Sequence, residues 1–156
     1  MDRAVVIRPL AQTDLHEQES SIRRLLEDNM RINLPGVEDP AELAGTGYDD
    51  MVRFHQDGSA VLIGAFEESV VVGLLWAYRR DVLGERRIHI GHVIVESTAR
   101  SNGIGARLLR RLEDIANDEG IKSLELMTTI ANEKAIGFYE ANGFVAARVQ
   151  LEKKLG

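Results

Sequence analysis

Between Ile88 and Gly120 the chain passes from a β-strand pattern, through a short polar loop, into a long amphipathic helix whose start is marked by two glycines. Over residues 103–119, Ile104, Leu108, Leu109, Leu112, Ile115 and Ala116 share one face, and Arg107, Arg110, Arg111, Glu113 and Asp114 take the other. Gly120 stops the helix. With Ile88–Val95 before it and Ser123–Thr128 after it, this is a strand–helix–strand unit, which ties the fold to a sheet covered by a helix.

The remaining elements are read in the same way. Ala4–Ile7 is short, β-branched and ended by Pro9, so it is a first strand. Asp14 and Glu17 have capping-box spacing, and Ile22, Leu25, Leu26 and Met30 recur at helical intervals, predicting one helix over 13–31. Prolines 35 and 40 with Gly36 make 33–40 a loop, and a second helix lies within 41–57 despite Gly45 and Gly47. Ala60–Phe66 and Val70–Tyr78 form a hairpin across Glu67-Glu68-Ser69. A short helix over 132–141 and a final strand over 144–154 complete a mixed α/β layer. At 156 residues, one domain over 1–156 is expected, with no repeat or linker.

Composition excludes several classes. The absence of cysteine rules out disulfides, thiolate metal sites and a cysteine nucleophile, and fits a reducing cytoplasm. A net charge of −6 argues against a nucleic-acid partner. No apolar run approaches the roughly 18 residues that span a membrane, and the N-terminus has no signal-peptide pattern. His89 and His92, at i and i+3 on a strand, face opposite ways and make no metal pair, so no metal is expected.

Two stretches carry chemistry. In the first, Val93 to Gly105, a strand feeds a polar loop and Gly103-Ile104-Gly105 opens a helix. Free backbone N–H groups there can bind an anion. A Walker loop needs Gly-Lys-Ser/Thr, and Gly105 is followed by Ala106-Arg107. A dinucleotide fingerprint needs a third glycine or alanine where Leu108 stands, although Glu125 lies at the spacing of its ribose-binding acid. A turn into a helix with no ligand is the third reading. In the second stretch, Asn132, Ala135, Ile136 and Tyr139 share a helical face, with a polar cap at one end and a phenol at the other. That face could grip a linear ligand, or Tyr139 could be a core tyrosine with its hydroxyl at the rim.

Together the two stretches resemble the GCN5-related N-acetyltransferase (GNAT) family. The family's pyrophosphate loop, Arg/Gln-x-x-Gly-x-Gly/Ala, is matched by Arg100-Ser101-Asn102-Gly103-Ile104-Gly105. Its later motif, Asn-x-x-Ala-x-x-Phe-Tyr-Glu-x-x-Gly-Phe, is matched from Asn132 to Phe144 without a gap. The resemblance implies a mostly antiparallel α/β sheet of six to seven strands with splayed central strands, flanked by about four helices. It implies acetyl-CoA as the acyl donor and a small-molecule or peptide amine as acceptor. It also leaves open a homodimer, and a sensor that binds acetyl-CoA without turnover.

By that resemblance, the backbone of Val93, Ile94 and Val95 would pair with the pantetheine arm. Amides of Arg100, Ser101, Asn102, Gly103, Ile104, Gly105 and Ala106 would hold the pyrophosphate, with Arg100 and Arg107 as direct phosphate contacts. Asn132 would bond the pantetheine, and Tyr139 would protonate the departing thiolate. Holding a lysine-like amine neutral at pH 7 costs about 4.6 kcal/mol, so a base helps. His89 falls where relatives place one, and His92 and Glu96 are further candidates. The acceptor would lie against Asn29–Tyr48 and Ala146–Gln150, where nothing spells a substrate.

Overall fold

The computed structural model describes residues 3–156, and for Ser101 and Asn102 it describes the backbone alone. Its elements are β1 (Val5–Pro9), α1 (Gln12–Glu17), α2 (Glu19–Asn33), α3 (Pro40–Gln56), β2 (Ala60–Glu67), β3 (Val70–Val82), β4 (Glu85–Val95), a 3-10 turn (Ser97–Asn102), α4 (Ile104–Asp118), β5 (Leu124–Leu126) and α5 (Glu133–Ala141). The strands lie in sequence order in one sheet, antiparallel throughout except for the parallel pair β4 and β5. The mixed α/β architecture is as expected. Among the described residues the sheet has five strands rather than six or seven, because 144–154 joins no strand.

Both sheet faces are covered, which is why β2 and β3 read as continuous apolar runs rather than alternating ones. On one face, Leu15, Ile22, Leu25, Leu26 and Met51 of α1–α3 pack on Leu62, Leu74, Trp76 and Ile94. On the other, Ile104, Leu108, Leu109 and Leu112 of α4 pack on Ile63, Leu75, Ile88 and Ile90. The Leu108 side chain is fully buried, so its position is filled by the core, and the glycine a dinucleotide fingerprint wants would leave a cavity there.

Three local outcomes differ from the periodicity reading. The helix expected over 13–31 is two helices, broken at Gln18, whose side-chain amide bonds the β2–β3 hairpin at Ser69 O and Val71 N instead. Asp14 is the third residue of α1 rather than its cap; it accepts from the Ala11 N–H and from the Arg8 guanidinium at 2.7 Å. The β3–β4 hairpin runs on to Val82 and Glu85, closed by Leu83 and Gly84 at φ 51° and 80°, the left-handed pair of a two-residue turn.

The feature that shapes the site is a bulge. Trp76 pairs with His92 but Ala77 pairs with Ile90, so Gly91 is an extra residue in β4. A Cβ at Gly91 would come within 2.8 Å of Trp76 Cδ1. Trp76 cannot easily yield, since it is buried and lies against Phe54 and Tyr78 with ring centroids 5.6 and 5.8 Å away. Gly91→Ala is expected to cost about 1–3 kcal/mol through overpacking, read by urea denaturation; an unchanged midpoint would mean that the indole moves freely.

Candidate functional site

The inserted residue flips the side-chain alternation beyond it. His89 stacks on Tyr78 at 5.2 Å, and His92 Nδ1 lies 3.5 Å from the Asn29 amide nitrogen on α2. Both imidazoles therefore sit on the α1–α3 face. The expectation that His92 points to the opposite face from His89 is corrected by the bulge.

Beyond it, β4 leaves β5. Their pairing runs Ile88–Leu124, His89–Glu125 and Ile90–Leu126 and ends there. From Gly91 to Val95, β4 has no strand beside it on that side among the described residues, although it stays paired with β3 as far as Gly73–Val95. Val93, Ile94 and Val95 thus form one wall of an opening in the sheet. Ile94 itself is buried against α2, while Val93 and Val95 border the α4 core.

The opening leads to the start of α4. Gly103 has φ 64°, a left-handed value that few other residues adopt without strain, and it is the N-cap. Among the described residues no side chain caps this helix and its first turn carries no acid, whereas Asp39 caps α3 and Asn132 caps α5. Arg107 N bonds Gly103 O, which leaves the N–H groups of Ile104, Gly105 and Ala106 without an intrahelical acceptor. Fifteen aligned peptides add their dipole to that end. The Ile104 side chain is buried in the core, so only its backbone faces the opening.

Of the candidate phosphate contacts, Arg100 donates from Nε to Val95 O at 3.0 Å and pins the loop to the end of β4. Arg107 donates to Val5 O of β1 at 2.9 Å, a structural role across the α4 face. The side chains of Ser101 and Asn102 lie outside the described residues. Gly105 has a different reason to be glycine: a Cβ there would lie 3.0 Å from Phe138 Cζ, so α5 sits directly on the first turn of α4.

That contact places Tyr139. Its ring lies edge-on to Phe138 and Phe144 at 5.1 and 5.5 Å, and it packs against the same apolar cluster as Val93 and Leu126. Burial pushes the phenol pKa up, so it stays protonated at neutral pH. Asn132 accepts from Ala135 N at 3.1 Å as the cap of α5 and donates to Asn33 Oδ1 at 3.3 Å. Asn33 donates in turn to Asn29 Oδ1 at 2.8 Å, and Asn29 reaches His92. A run of three amides therefore joins the cap of α5 to the imidazole on β4. Periodicity did not reveal this run. Its only trace in the sequence is the i, i+4 pair Asn29 and Asn33 at the end of α2.

His89 is placed otherwise. It lies where β4 and β5 are paired, 3.5 Å from Glu125 Oε1, with Nδ1 buried and lacking a hydrogen-bond partner. Glu125 is held by Arg80 at 2.6 Å and approached by Arg87 at 3.7 Å, so it is a structural acid rather than a ribose ligand. Burial and then the Arg80 charge lower the His89 pKa against the pull of Glu125. Burial alone lowers that of His92. Glu96 is paired with Arg24 at 3.2 Å. A cleft between α2 and the end of β4 is lined by Leu25, Asn29, Ile32, Ile94, Glu96 and Arg100.

Known proteins resemble this chain in sequence and in fold. The family model described as "Acetyltransferase (GNAT) family" matches residues 21–144. A "Probable glucosamine 6-phosphate N-acetyltransferase 2" of Oryza sativa subsp. japonica is 30% identical over 112 residues, covering 71% of this chain and 63% of that protein. A "Probable N-acetyltransferase family 8 member 5" of Mus musculus is 36% identical over 106 residues, covering 67% and 47%. In both, the match spans less than two-thirds of the relative's own length. Among solved structures, a GCN5-related N-acetyltransferase from Ralstonia eutropha JMP134 superposes with a TM-score of 0.78 at 20% identity, over 97% of this chain and 99% of that one, a likeness of fold. Among the described residues, no helix is long and apolar enough to cross a membrane.

Proposed function

Because this chain belongs to the acetyltransferase (GNAT) family, we propose that it transfers the acetyl group of acetyl-CoA to the primary amine of a small molecule or peptide, with residues 1–156 acting as one acyltransferase domain. The observation that carries this reading is the stretch of β4 from Gly91 to Val95, unpaired towards β5, which runs directly to an uncapped helix N-terminus. Exposed strand edge suits the amide-bearing pantetheine arm, and free N–H groups at a dipole's positive end suit a pyrophosphate. Gly103 to Ala106 hold the phosphates, Val93 to Val95 hold the arm, and Asn132 reaches it from α5.

The amine nitrogen attacks the thioester carbon directly. A backbone N–H near Val93 stabilises the developing oxyanion, the C–S bond breaks, and the thiolate takes the Tyr139 proton. With ordinary pKa values near 10 and 8.5, that last transfer is uphill by about 2 kcal/mol. Burial of Tyr139 raises the gap, while loss of solvent around the thiolate narrows it.

For the proton on the attacking amine we assign the base role to His92 rather than His89. His92 lies in the opened part of β4 beside the α2 cleft, whereas His89 faces Glu125 in the closed part. Burial disfavours the imidazolium of His92, so the neutral, proton-accepting form dominates at pH 7. The sign is definite: activity is lost as pH falls through a pKa below 6.5, not above it. His92→Gln is expected to lower kcat/KM by about 100-fold and abolish that acid limb. A profile identical to that of the unaltered protein would return the role to another group.

The test of the whole reading is thiol release from acetyl-CoA over a panel of amines, glucosamine 6-phosphate included because of the rice relative's name. Turnover on any amine supports it. Tight acetyl-CoA binding with no turnover would favour a sensor, and binding of NAD with indifference to CoA would end it.

A further inference from the structure

The bond between Asn132 and Asn33 joins two loops. At 3.3 Å it holds the turn Thr129–Asn132, itself closed from Asn132 N to Thr129 O at 3.0 Å, against the end of α2. Both loops present large apolar side chains to solvent there. Ile32 and Leu34 on the α2 side are 61% and 45% exposed, and Met127 and Ile130 on the β5–α5 side are 72% and 92% exposed. Single exposed aliphatics need no explanation. Four of them on two loops that a hydrogen bond joins mark a surface kept for a ligand.

The cleft between α2 and the end of β4 continues this surface inward. Ile32 belongs to both, and Leu25 and Ile94, themselves buried, form the cleft floor. The charged groups around that floor are largely engaged with one another or with the backbone. Glu96 is paired with Arg24, Arg31 with Glu27 at 2.5 Å, and Arg100 holds Val95 O through Nε. Asp28 also lines the cleft and is exposed, so its carboxylate can attract an ammonium ion as it arrives. Asn29 lines the cleft too and stands 3.5 Å from His92 Nδ1, so the cleft reaches the imidazole to which the base role is assigned.

We propose that the acceptor is a primary amine with an apolar body, an alkyl or arylalkyl amine. Its carbon chain lies over Leu25, Ile32 and Ile94 while its nitrogen reaches His92. The inference rests on the acyl-transfer reading and names the substrate class of that same site. Each methylene laid on the aliphatic floor leaves water and adds affinity. A chain interrupted by oxygen atoms surrenders their hydration to the same floor, where no side chain replaces the lost hydrogen bonds. Ile130 and Met127, on the joined loop, extend the apolar surface for a longer or aromatic body.

The test compares initial rates with acetyl-CoA for ethylamine, hexylamine and diglycolamine, the last matching hexylamine in heavy atoms and charge. Hexylamine is expected to exceed both in kcat/KM by at least about 10-fold. Ile32→Ser and Ile130→Ser, both at exposed positions and checked by circular dichroism, should each lower the hexylamine-to-ethylamine ratio about threefold. Equal rates on the three amines, or turnover on polar amines alone, overturn the apolar class and leave acyl transfer standing. A ratio that neither variant moves puts the contact elsewhere and overturns this cleft. No turnover on these or on any amine of the wider panel sinks acyl transfer, and the acceptor class with it.

Discussion

Gly103→Val is expected to weaken acetyl-CoA binding at least about 100-fold, equivalent to about 2.7 kcal/mol, while the protein stays folded. The two effects separate because of what surrounds the residue. Among the described residues a Cβ at position 103 meets nothing within 4 Å, so against them the unliganded fold is strained only through its left-handed backbone at φ 64°. That strain costs about 1–2 kcal/mol, more for a branched side chain. The empty space in front of this Cβ is where the proposed pyrophosphate approaches the free amides of Ile104, Gly105 and Ala106, and valine methyls would fill it. Titration calorimetry with acetyl-CoA, beside a urea melt, distinguishes the two losses. Binding that survives with a normal melt would remove the α4 N-terminus from the phosphate site. Gly105 would make a poorer probe, because any side chain there strikes Phe138 at 3.0 Å and moves α5 as well.

Tyr139→Phe should lower kcat about 100-fold, with acetyl-CoA affinity and melting temperature close to those of the unaltered protein. The ring contacts with Phe138 and Phe144 persist in phenylalanine, and the hydroxyl donates to no protein acceptor among the described residues, so little packing or bonding is lost. The loss is confined to the proton for the thiolate. Stopped-flow measurement of a single turnover, with binding measured separately, isolates that step. A single-turnover rate equal to that of the unaltered enzyme would leave Tyr139 a core aromatic with its hydroxyl at the rim, the alternative that the helix pattern allows.

Much of this architecture is legible in residues 88–144. The amphipathic period of α4 and the two glycines at its start are local patterns that sterics and apolar spacing suffice to read, and the Asn132–Phe144 motif is read by its resemblance to the family's. Local patterns mislead where a distant partner competes with a near one. The first long helix is interrupted at Gln18, whose side-chain amide bonds the β2–β3 hairpin, 51 and 53 residues away. Residues 79–87 lack an apolar strand pattern, yet Arg79 bridges to Glu119 and Arg80 to Glu125, which lets charged side chains line a long hairpin.

The site divides in the same way. A positive-φ glycine before an amphipathic helix is a property of neighbouring residues, and so the glycine-led start of α4 and the capping position of Asn132 are legible in sequence alone. Which histidine faces the opening is not. A strict alternation of two puts His89 and His92 on opposite faces, and only the fit of Gly91 against the wedged indole of Trp76 inserts the residue that brings them to one side. Likewise, sequence patterning marks 144–154 as a strand, but whether a strand finds a sheet depends on where the chain leaves the preceding helix. Short-range patterns determine which elements form; long-range packing decides which faces and edges they present to one another.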